Sequence, residues 1–175
     1  MSTKGYIFID AEYCYTCAVR EGMVPSYKAI FELFNKNFPE SVKILYHVGE
    51  AERKKRLFEF TMKLGADYNI IIDYPHVSKT QVIGSNIAID SIKYMNRLTD
   101  PDTPFVFLTG DDYMIPIVEE FKKNMITCHL YYFPAILSKA LIDIYKGTDR
   151  LVCLSAKYFM YPHTMAKREI NVGKP

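Results

Sequence analysis

The sequence lacks several features that would assign it at once to a large class of proteins. It contains no tryptophan, and no apolar run approaches the roughly 20 residues that a membrane-spanning helix needs. The chain passes from Lys4 directly into a short strand-like stretch, without the apolar core of a cleavable signal sequence. We therefore expect an intracellular, cytoplasmic protein with no membrane partner.

The motifs of several large enzyme classes are missing too. There is no Gly-x-x-x-x-Gly-Lys stretch and no Gly-x-Gly-x-x-Gly after the first predicted strand. There is also no Gly-x-Ser-x-Gly stretch, which holds the nucleophile of many hydrolases. These absences argue against a nucleotide cofactor and against a serine hydrolase.

An excess of charge of one sign is also missing. Lysine and arginine total 22 and aspartate and glutamate total 20, so the formal charge is only +2. A net charge this small predicts neither a nucleic acid nor a membrane as the partner. Basic residues cluster at Arg53–Arg56 and near the C-terminus, at Lys167, Arg168 and Lys174. Such clusters are more often solvated surfaces than phosphate contacts, and they are compatible with both.

What is present is an alternation of strand-like and helix-like segments, which is typical of a parallel sheet flanked by helices. The predicted strands are Tyr6–Asp10, Val42–Val48, Asn69–Asp73, Pro104–Thr109, Thr127–Phe133 and Arg150–Leu154. The predicted helices cover residues 26–38, 50–64, 84–98, 115–123 and 135–145. We expect a three-layer α/β fold with a mostly parallel central sheet over residues 1–155, followed by a C-terminal extension, mobile in character, over residues 156–175.

Acidic residues recur at the predicted strand ends. Asp10 closes the first strand with Glu12 just beyond it, Asp111 and Asp112 follow the stretch FVFLTG, and Asp90 lies in a helix. Ligands bind outside the carboxyl ends of parallel strands, and carboxylates that converge there suit a hard divalent cation such as Mg²⁺ or Mn²⁺. Such a cation would polarise a phosphodiester and activate a water molecule.

Helix capping is the competing interpretation of these acids. Asp111 and Asp112 precede a predicted helix, whose free amides a carboxylate can accept from. No helix is predicted directly after Asp10, so the ligand interpretation is stronger there.

Four stretches together resemble the NYN domain, a branch of the PIN-like metal-dependent ribonucleases. They are YIFIDAE, VIGSNIAIDSI, FVFLTGDDYMIPIVEEFKKN and LIDIYKGTDRLVCL. In that family the first strand ends in a pattern like I-D-x-x-N, a middle segment carries two Asp six residues apart, and a later strand leads into S-G-D-x-D-F. The positions that match are Asp10, Asp90, Asp111 and Asp149.

Three positions depart from the family pattern. Tyr13 stands at the position of the Asn, Gly84 at that of the first middle Asp, and Tyr113 at that of the second Asp of S-G-D-x-D-F. Glu12 and Asp112 each neighbour a lost position and supply negative charge nearby.

The resemblance implies a metal-dependent (endo)ribonuclease. Its catalytic acids would be Asp10, Asp90, Asp111 and Asp112, with Mg²⁺ or Mn²⁺ held by Asp10, Asp90 and Asp111 and with Glu12 or Asp112 as a further carboxylate. The alternative is a catalytically impaired NYN module that binds RNA or a protein partner.

The expected substrate is single-stranded RNA, whose unpaired bases stack on aromatic side chains while basic groups contact phosphate. The candidates for these contacts are Tyr13, Tyr15, Lys79 and Tyr113. The family also implies assembly into homo-oligomers or with a protein partner.

A thiol pair overlaps the first acidic stretch. Cys14 and Cys17 form a Cys-x-x-Cys spacing that resembles the thioredoxin motif, which makes a thiol-disulfide oxidoreductase a less favoured hypothesis. The thioredoxin order of elements around the motif is missing, and zinc would need two further ligands. Cys128 and Cys153 lie in predicted strands and are expected in the core.

Overall fold

The computed structural model of the chain describes residues 5–47, 59, 70–73 and 81–162. Apart from residue 59, which is helical, the predicted helix over residues 50–64 lies outside this range, and so does the basic stretch Arg53–Arg56. Within it, no helix has both the length and the apolar composition that crossing a bilayer requires.

The centre of the fold is a six-stranded sheet in which every neighbouring pair is parallel, so the predicted α/β architecture is confirmed. Its strands are β1 Tyr6–Asp10, β3 Val42–Tyr46, β4 Ile70–Asp73, β5 Phe105–Leu108, β6 Cys128–Tyr132 and β7 Leu151–Cys153. They lie side by side in the order β4-β3-β1-β5-β6-β7. All six lie within the stretches that the sequence predicts as strands.

Helices cover both faces of this sheet. They are α1 Ala11–Arg20, α2 Tyr27–Asn37, α3 Gln81–Met95, α4 Met114–Lys123 and α5 Lys139–Tyr145. Side chains of β1 alternate between the faces: Ile7 and Ile9 pack with α1 and α2, whereas Phe8 packs with α3, α4 and α5. The result is a three-layer fold with one apolar core on each side of the sheet.

The strand order creates a crevice beside β1. The connections from β1 lead to β3 and β4 on one side of it, and the chain then returns to place β5 on the other side. α1, which follows β1, packs on one face of the sheet, and α4, which follows β5, packs on the opposite face. Such a switch point, at the carboxyl ends of β1 and β5, is where open α/β sheets bind ligands.

Helix α1 was not predicted, and its presence corrects the interpretation of Asp10. The helix starts at Ala11, directly after β1, and the Asp10 Oδ1 accepts a hydrogen bond of 2.9 Å from the Tyr13 amide. Asp10 is therefore a helix N-cap. Asp111 and Asp112, in contrast, do not cap α4. The residue before this helix is Tyr113, and no side chain caps its N-terminus.

Residues 156 to 160, which are predicted as part of a C-terminal extension, pack on the domain. Ala156–Tyr158 form a 3₁₀ turn (η1), and β8 (Phe159–Met160) pairs antiparallel with β2 (Val24–Pro25). Tyr158 is buried in the core beside α2.

The helix predicted over residues 135–145 forms only over Lys139–Tyr145, because the segment directly after β6 is held by α1. The buried Tyr13 hydroxyl accepts a hydrogen bond from the Phe133 amide at 2.9 Å and donates to the Ile136 carbonyl at 2.7 Å. Arg20 donates to the Ala135 carbonyl at 2.9 Å. Because these carbonyls bond to α1, helix α5 starts only at Lys139.

Replacing Tyr13 by Phe should therefore destabilise the fold. The substitution keeps the ring but leaves the buried Phe133 amide and Ile136 carbonyl without this partner, so we expect the free energy of unfolding to fall by about 1–3 kcal/mol. Urea unfolding followed by circular dichroism measures this difference. Tyr6→Phe, which keeps its ring contacts with Tyr94 and Phe105, is the control and should change stability by less than about 0.5 kcal/mol. Equal effects of the two variants would show that the Tyr13 hydroxyl does not stabilise the segment after β6.

Candidate functional site

A cavity of about 380 Å³ opens at the carboxyl ends of β1 and β5, at the switch point of the sheet. Its volume is in the range typical of ligand sites. The residues that line it are Asp10, Glu12, Tyr13, Thr16, Gly84, Ser85, Asp111, Tyr113 and Ile136. Three of these side chains are carboxylates, and none of the described lining residues is basic.

Asp10 lies at the bottom of this site, almost fully buried, with both carboxylate oxygens in hydrogen bonds. Its Oδ1 accepts from the Tyr13 amide, and its Oδ2 accepts from the Tyr113 hydroxyl at 2.8 Å. Burial raises the pKa of Asp10 from 3.8 to about 6, although these two hydrogen bonds lower it. The nearby charges of Asp111 and Glu12 raise it further.

Asp111 contributes the second carboxylate of the predicted set. It is half-buried, and burial followed by the charge of Asp112 raises its pKa. Asp112 is exposed and is not among the residues that line the cavity. The structure thus brings together Asp10, Glu12 and Asp111, which all line one cavity, and leaves Asp112 beside it.

Tyr113 covers the position at which Gly84 lies in α3. A Cβ atom built on Gly84 would lie 2.7 Å from the Tyr113 Cγ and 2.8 Å from its Cδ1, closer than real side chains approach. The Tyr113 hydroxyl, which donates to Asp10, lies 3.3 Å from the Thr109 Oγ1. Burial and then the charge of Asp10 raise the pKa of Tyr113 well above its ordinary value, so the phenol stays protonated and can donate.

Asp90 lies elsewhere, further along α3. Its Oδ2 accepts a hydrogen bond of 3.0 Å from Tyr46 of β3, and its Oδ1 accepts one of 3.2 Å from Lys93. It is not among the residues that line the cavity, and neither is the exposed Asp149 that follows α5. A position in an α-helix that matches a family pattern in sequence therefore need not point into the site.

Of the residues predicted to contact RNA, some line the cavity and others do not. Tyr113 and Tyr13 line the cavity, but Tyr13 is only 3% exposed and its hydroxyl bonds to the main chain after β6. Tyr15 is exposed on α1 and is not among the residues that line the cavity, and Lys79 lies outside the described residues.

Three residues that line the cavity were not predicted from the sequence: Thr16, Ser85 and Ile136. Thr16 lies four residues after Glu12, which places both on one face of a helix. If α1 had been predicted, this spacing would have placed Thr16 beside Glu12 at the site. Ser85 and Ile136 carry no comparable signal, because their places depend on how α3 and the segment after β6 pack.

The thiol hypothesis fails on burial. Cys14 and Cys17 lie on the inner face of α1 within the core and do not line the cavity. Burial, with the charge of Asp10 next, raises the pKa of the Cys14 thiol well above its usual range, and burial raises the pKa of Cys17 to about 11. Reactive thiols need a lowered pKa and access to solvent.

The other two cysteines differ in burial. Cys128 is buried as predicted, with its sulfur 3.1 Å from the Tyr145 hydroxyl. Cys153 is exposed, which corrects the expectation of a core residue. The reason is that β7 is the edge strand of the sheet.

A divalent metal, which the resemblance implies, does not fit the side chains as they are arranged. Mg²⁺ requires several oxygen ligands in near-octahedral geometry. Both oxygens of Asp10 already accept hydrogen bonds from the protein, Gly84 has no side chain, and Asp90 bonds to Tyr46 and Lys93. In the described part of the chain, no three His, Cys, Asp or Glu side chains are grouped to hold a metal ion.

Substituting Asn for Asp10 should stabilise the protein in a pH-dependent way. The pKa of Asp10 is about 6 in the folded protein and 3.8 for an ordinary Asp side chain, which is the value taken for the unfolded state. As the pH rises from about 4 to 6, Asp10 therefore loses its proton in the unfolded state before it does so in the folded state. The free energy of unfolding therefore falls by about 3 kcal/mol over this interval on account of Asp10, and the loss is complete above it. Asn carries no charge and can still accept from the Tyr13 amide, so the variant should gain on the wild type across the same interval.

Urea unfolding of both proteins between pH 3.5 and 7.5 measures this difference. Asp143→Asn, at an exposed position of α5 that does not line the cavity, is the control for the removal of a carboxylate. A difference between wild type and Asp10→Asn that does not vary with pH would contradict the raised pKa.

Comparison with known proteins agrees with this fold. The family model of the NYN domain matches residues 4–147 of the chain. No curated protein matches it significantly. Among solved structures, a protein of unknown function from Vibrio parahaemolyticus is similar in fold, with a TM-score of 0.66 and 19% sequence identity over 90% of this chain and 96% of that one. Since the family model covers most of the chain, the protein belongs to the NYN domain family, within the PIN-like group of nuclease folds.

Proposed function

We propose that this chain is a NYN domain that binds single-stranded RNA without hydrolysing it. The observation that carries the proposal is the hydrogen bond from the Tyr113 hydroxyl to the Asp10 Oδ2, with the Tyr113 ring packed over Gly84. RNA as the ligand is inferred from membership of the NYN family.

Hydrolysis of a phosphodiester needs a group that offsets the phosphate charge and activates a water molecule. In this cavity Asp10 already accepts from two protein donors, and the described lining offers three carboxylates and no cationic side chain. A phosphate placed there would meet like charge. The cavity by itself therefore does not favour the reaction that the family resemblance implies.

The same lining suits other groups of RNA. Carboxylates of Glu12 and Asp111 accept hydrogen bonds, and unpaired RNA offers donors on the edges of its bases and at the ribose 2′-hydroxyl. An unpaired nucleoside that enters the cavity would place such donors against these oxygens and leave its phosphates outside. Single-stranded RNA exposes these groups, whereas in duplex RNA the base edges are paired.

A metal-dependent ribonuclease is the second candidate, and one observation favours it. Asp10, Glu12 and Asp111 line one cavity at the switch point of the sheet, where the resemblance expects the catalytic acids. If Tyr113 leaves Asp10 when RNA binds, these carboxylates become available to Mg²⁺ or Mn²⁺.

A labelled single-stranded RNA of mixed sequence distinguishes the two candidates. We expect binding in EDTA, measured by fluorescence anisotropy, and no cleavage on a denaturing gel with Mg²⁺ or Mn²⁺. Asp111→Asn should weaken binding by about tenfold to a hundredfold, because a hydrogen bond to a charged group contributes about 1.5–3 kcal/mol. Asp143→Asn, on the exposed side of α5, should bind as the wild type does.

Metal-dependent cleavage that disappears in Asp10→Asn would replace this proposal by the ribonuclease. Failure to bind RNA, with or without metal, would exclude RNA as the ligand.

A further inference from the structure

We infer that Tyr113 and Gly84 form a coupled pair that prevents divalent cations from binding at Asp10. The inference deepens the proposed function, since it explains why this member of the family would not hydrolyse RNA. It concerns two residues, one in α3 and one directly before α4, that are far apart in sequence and in contact in the fold.

The ring of Tyr113 requires glycine at position 84. The Cβ of any other residue there would lie within 2.8 Å of two ring atoms and 3.1 Å from a third. A Cβ on α3 and the present position of the ring therefore exclude each other. Glycine is among the poorest residues for a helix interior, and a packing requirement of this kind accounts for its presence in α3.

The hydroxyl of Tyr113 takes the place that a metal ion would occupy at the Oδ2 of Asp10. A buried carboxylate needs partners for both oxygens, and a cation bound to several carboxylates is one way to supply them. Here the Tyr113 hydroxyl at 2.8 Å and the Tyr13 amide at 2.9 Å supply them from the protein itself. A cation would have to displace the phenol before it could bind the Oδ2 of Asp10.

The pairing also connects two of the departures from the family pattern. Gly84 and Tyr113 stand at two positions where the resemblance expects Asp. An Asp at position 84 would place its Cβ against the Tyr113 ring, so Asp fits at position 84 only if this ring moves or is lost.

A double-mutant cycle tests the contact between the two residues. Thermal unfolding is measured for wild type, Gly84→Ala, Tyr113→Ala and the double variant. Gly84→Ala should lower the melting temperature when Tyr113 is present and raise it when residue 113 is Ala, because Ala is the better helix former once the ring is gone. A shift of the same sign and size in both backgrounds would overturn the coupling.

Titration with Mn²⁺ alone, followed by isothermal calorimetry and by the loss of the free Mn²⁺ signal in electron paramagnetic resonance, tests the effect on cations. Wild type should bind Mn²⁺ no better than the Asp10→Asn variant does. Gly84→Asp combined with Tyr113→Asp should bind one or more Mn²⁺ at least tenfold more tightly than wild type, and adding Asp10→Asn to this pair should abolish the gain.

The variant with two added acids can fail to fold, so Tyr113→Ala provides a second test without added charge. It exposes the Oδ2 of Asp10 and should also bind Mn²⁺ more tightly than wild type, in a manner that Asp10→Asn removes. Circular dichroism reports whether each variant is folded. Mn²⁺ binding to wild type that depends on Asp10, or no gain in a folded Tyr113→Ala variant, would overturn the inference.

None of these measurements contains RNA, so they are independent of the proposed ligand. Loss of the RNA proposal would leave the coupled pair intact, and failure of the coupled pair would leave any measured RNA binding intact.

Discussion

The hydrogen bond between the Tyr113 hydroxyl and Asp10 is the interaction on which the arrangement of the site depends. A carboxylate as buried as Asp10 is costly unless donors satisfy it, and only the Tyr13 amide is supplied locally, by the start of α1. The second donor comes from the residue that precedes α4, and the ring that carries it packs on Gly84 of α3. One side chain thus joins the end of β1 to two helices on the opposite face of the sheet. The acid at the centre of the site is satisfied by protein groups alone.

The order of the strands explains why these groups meet at all. β1 and β5 are neighbours, and the helices that follow them pack on opposite faces of the sheet, so a crevice opens between the two carboxyl ends. Asp10 and Asp111 come from the ends of these two strands, and Glu12 comes from the first turn of α1. The fold therefore brings these three acids to one cavity, and individual side chains decide what that cavity can bind.

Helix α1 assigns different roles to residues that are adjacent in the sequence. Its outer positions present Glu12 and Thr16 to the cavity, and its inner positions place Cys14 and Cys17 in the core. The hydroxyl of Tyr13 bonds to the segment after β6 and fixes another wall of the cavity. The thiols are therefore packing groups, and the carboxylates next to them are the groups with access to a ligand.

The sequence by itself determined the strands, the order of layers and the place of Asp10 and Asp111, because short apolar runs that end in acids are local signals in a parallel α/β chain. It did not reveal α1, which begins without a loop directly after β1, or the direction of Asp90, which bonds to Tyr46 and Lys93. Only the tertiary structure decided that the Tyr113 hydroxyl would bond to Asp10 and that its ring would fill the space above Gly84. That outcome depends on contacts between residues far apart in the chain, and no local period or spacing encodes such contacts.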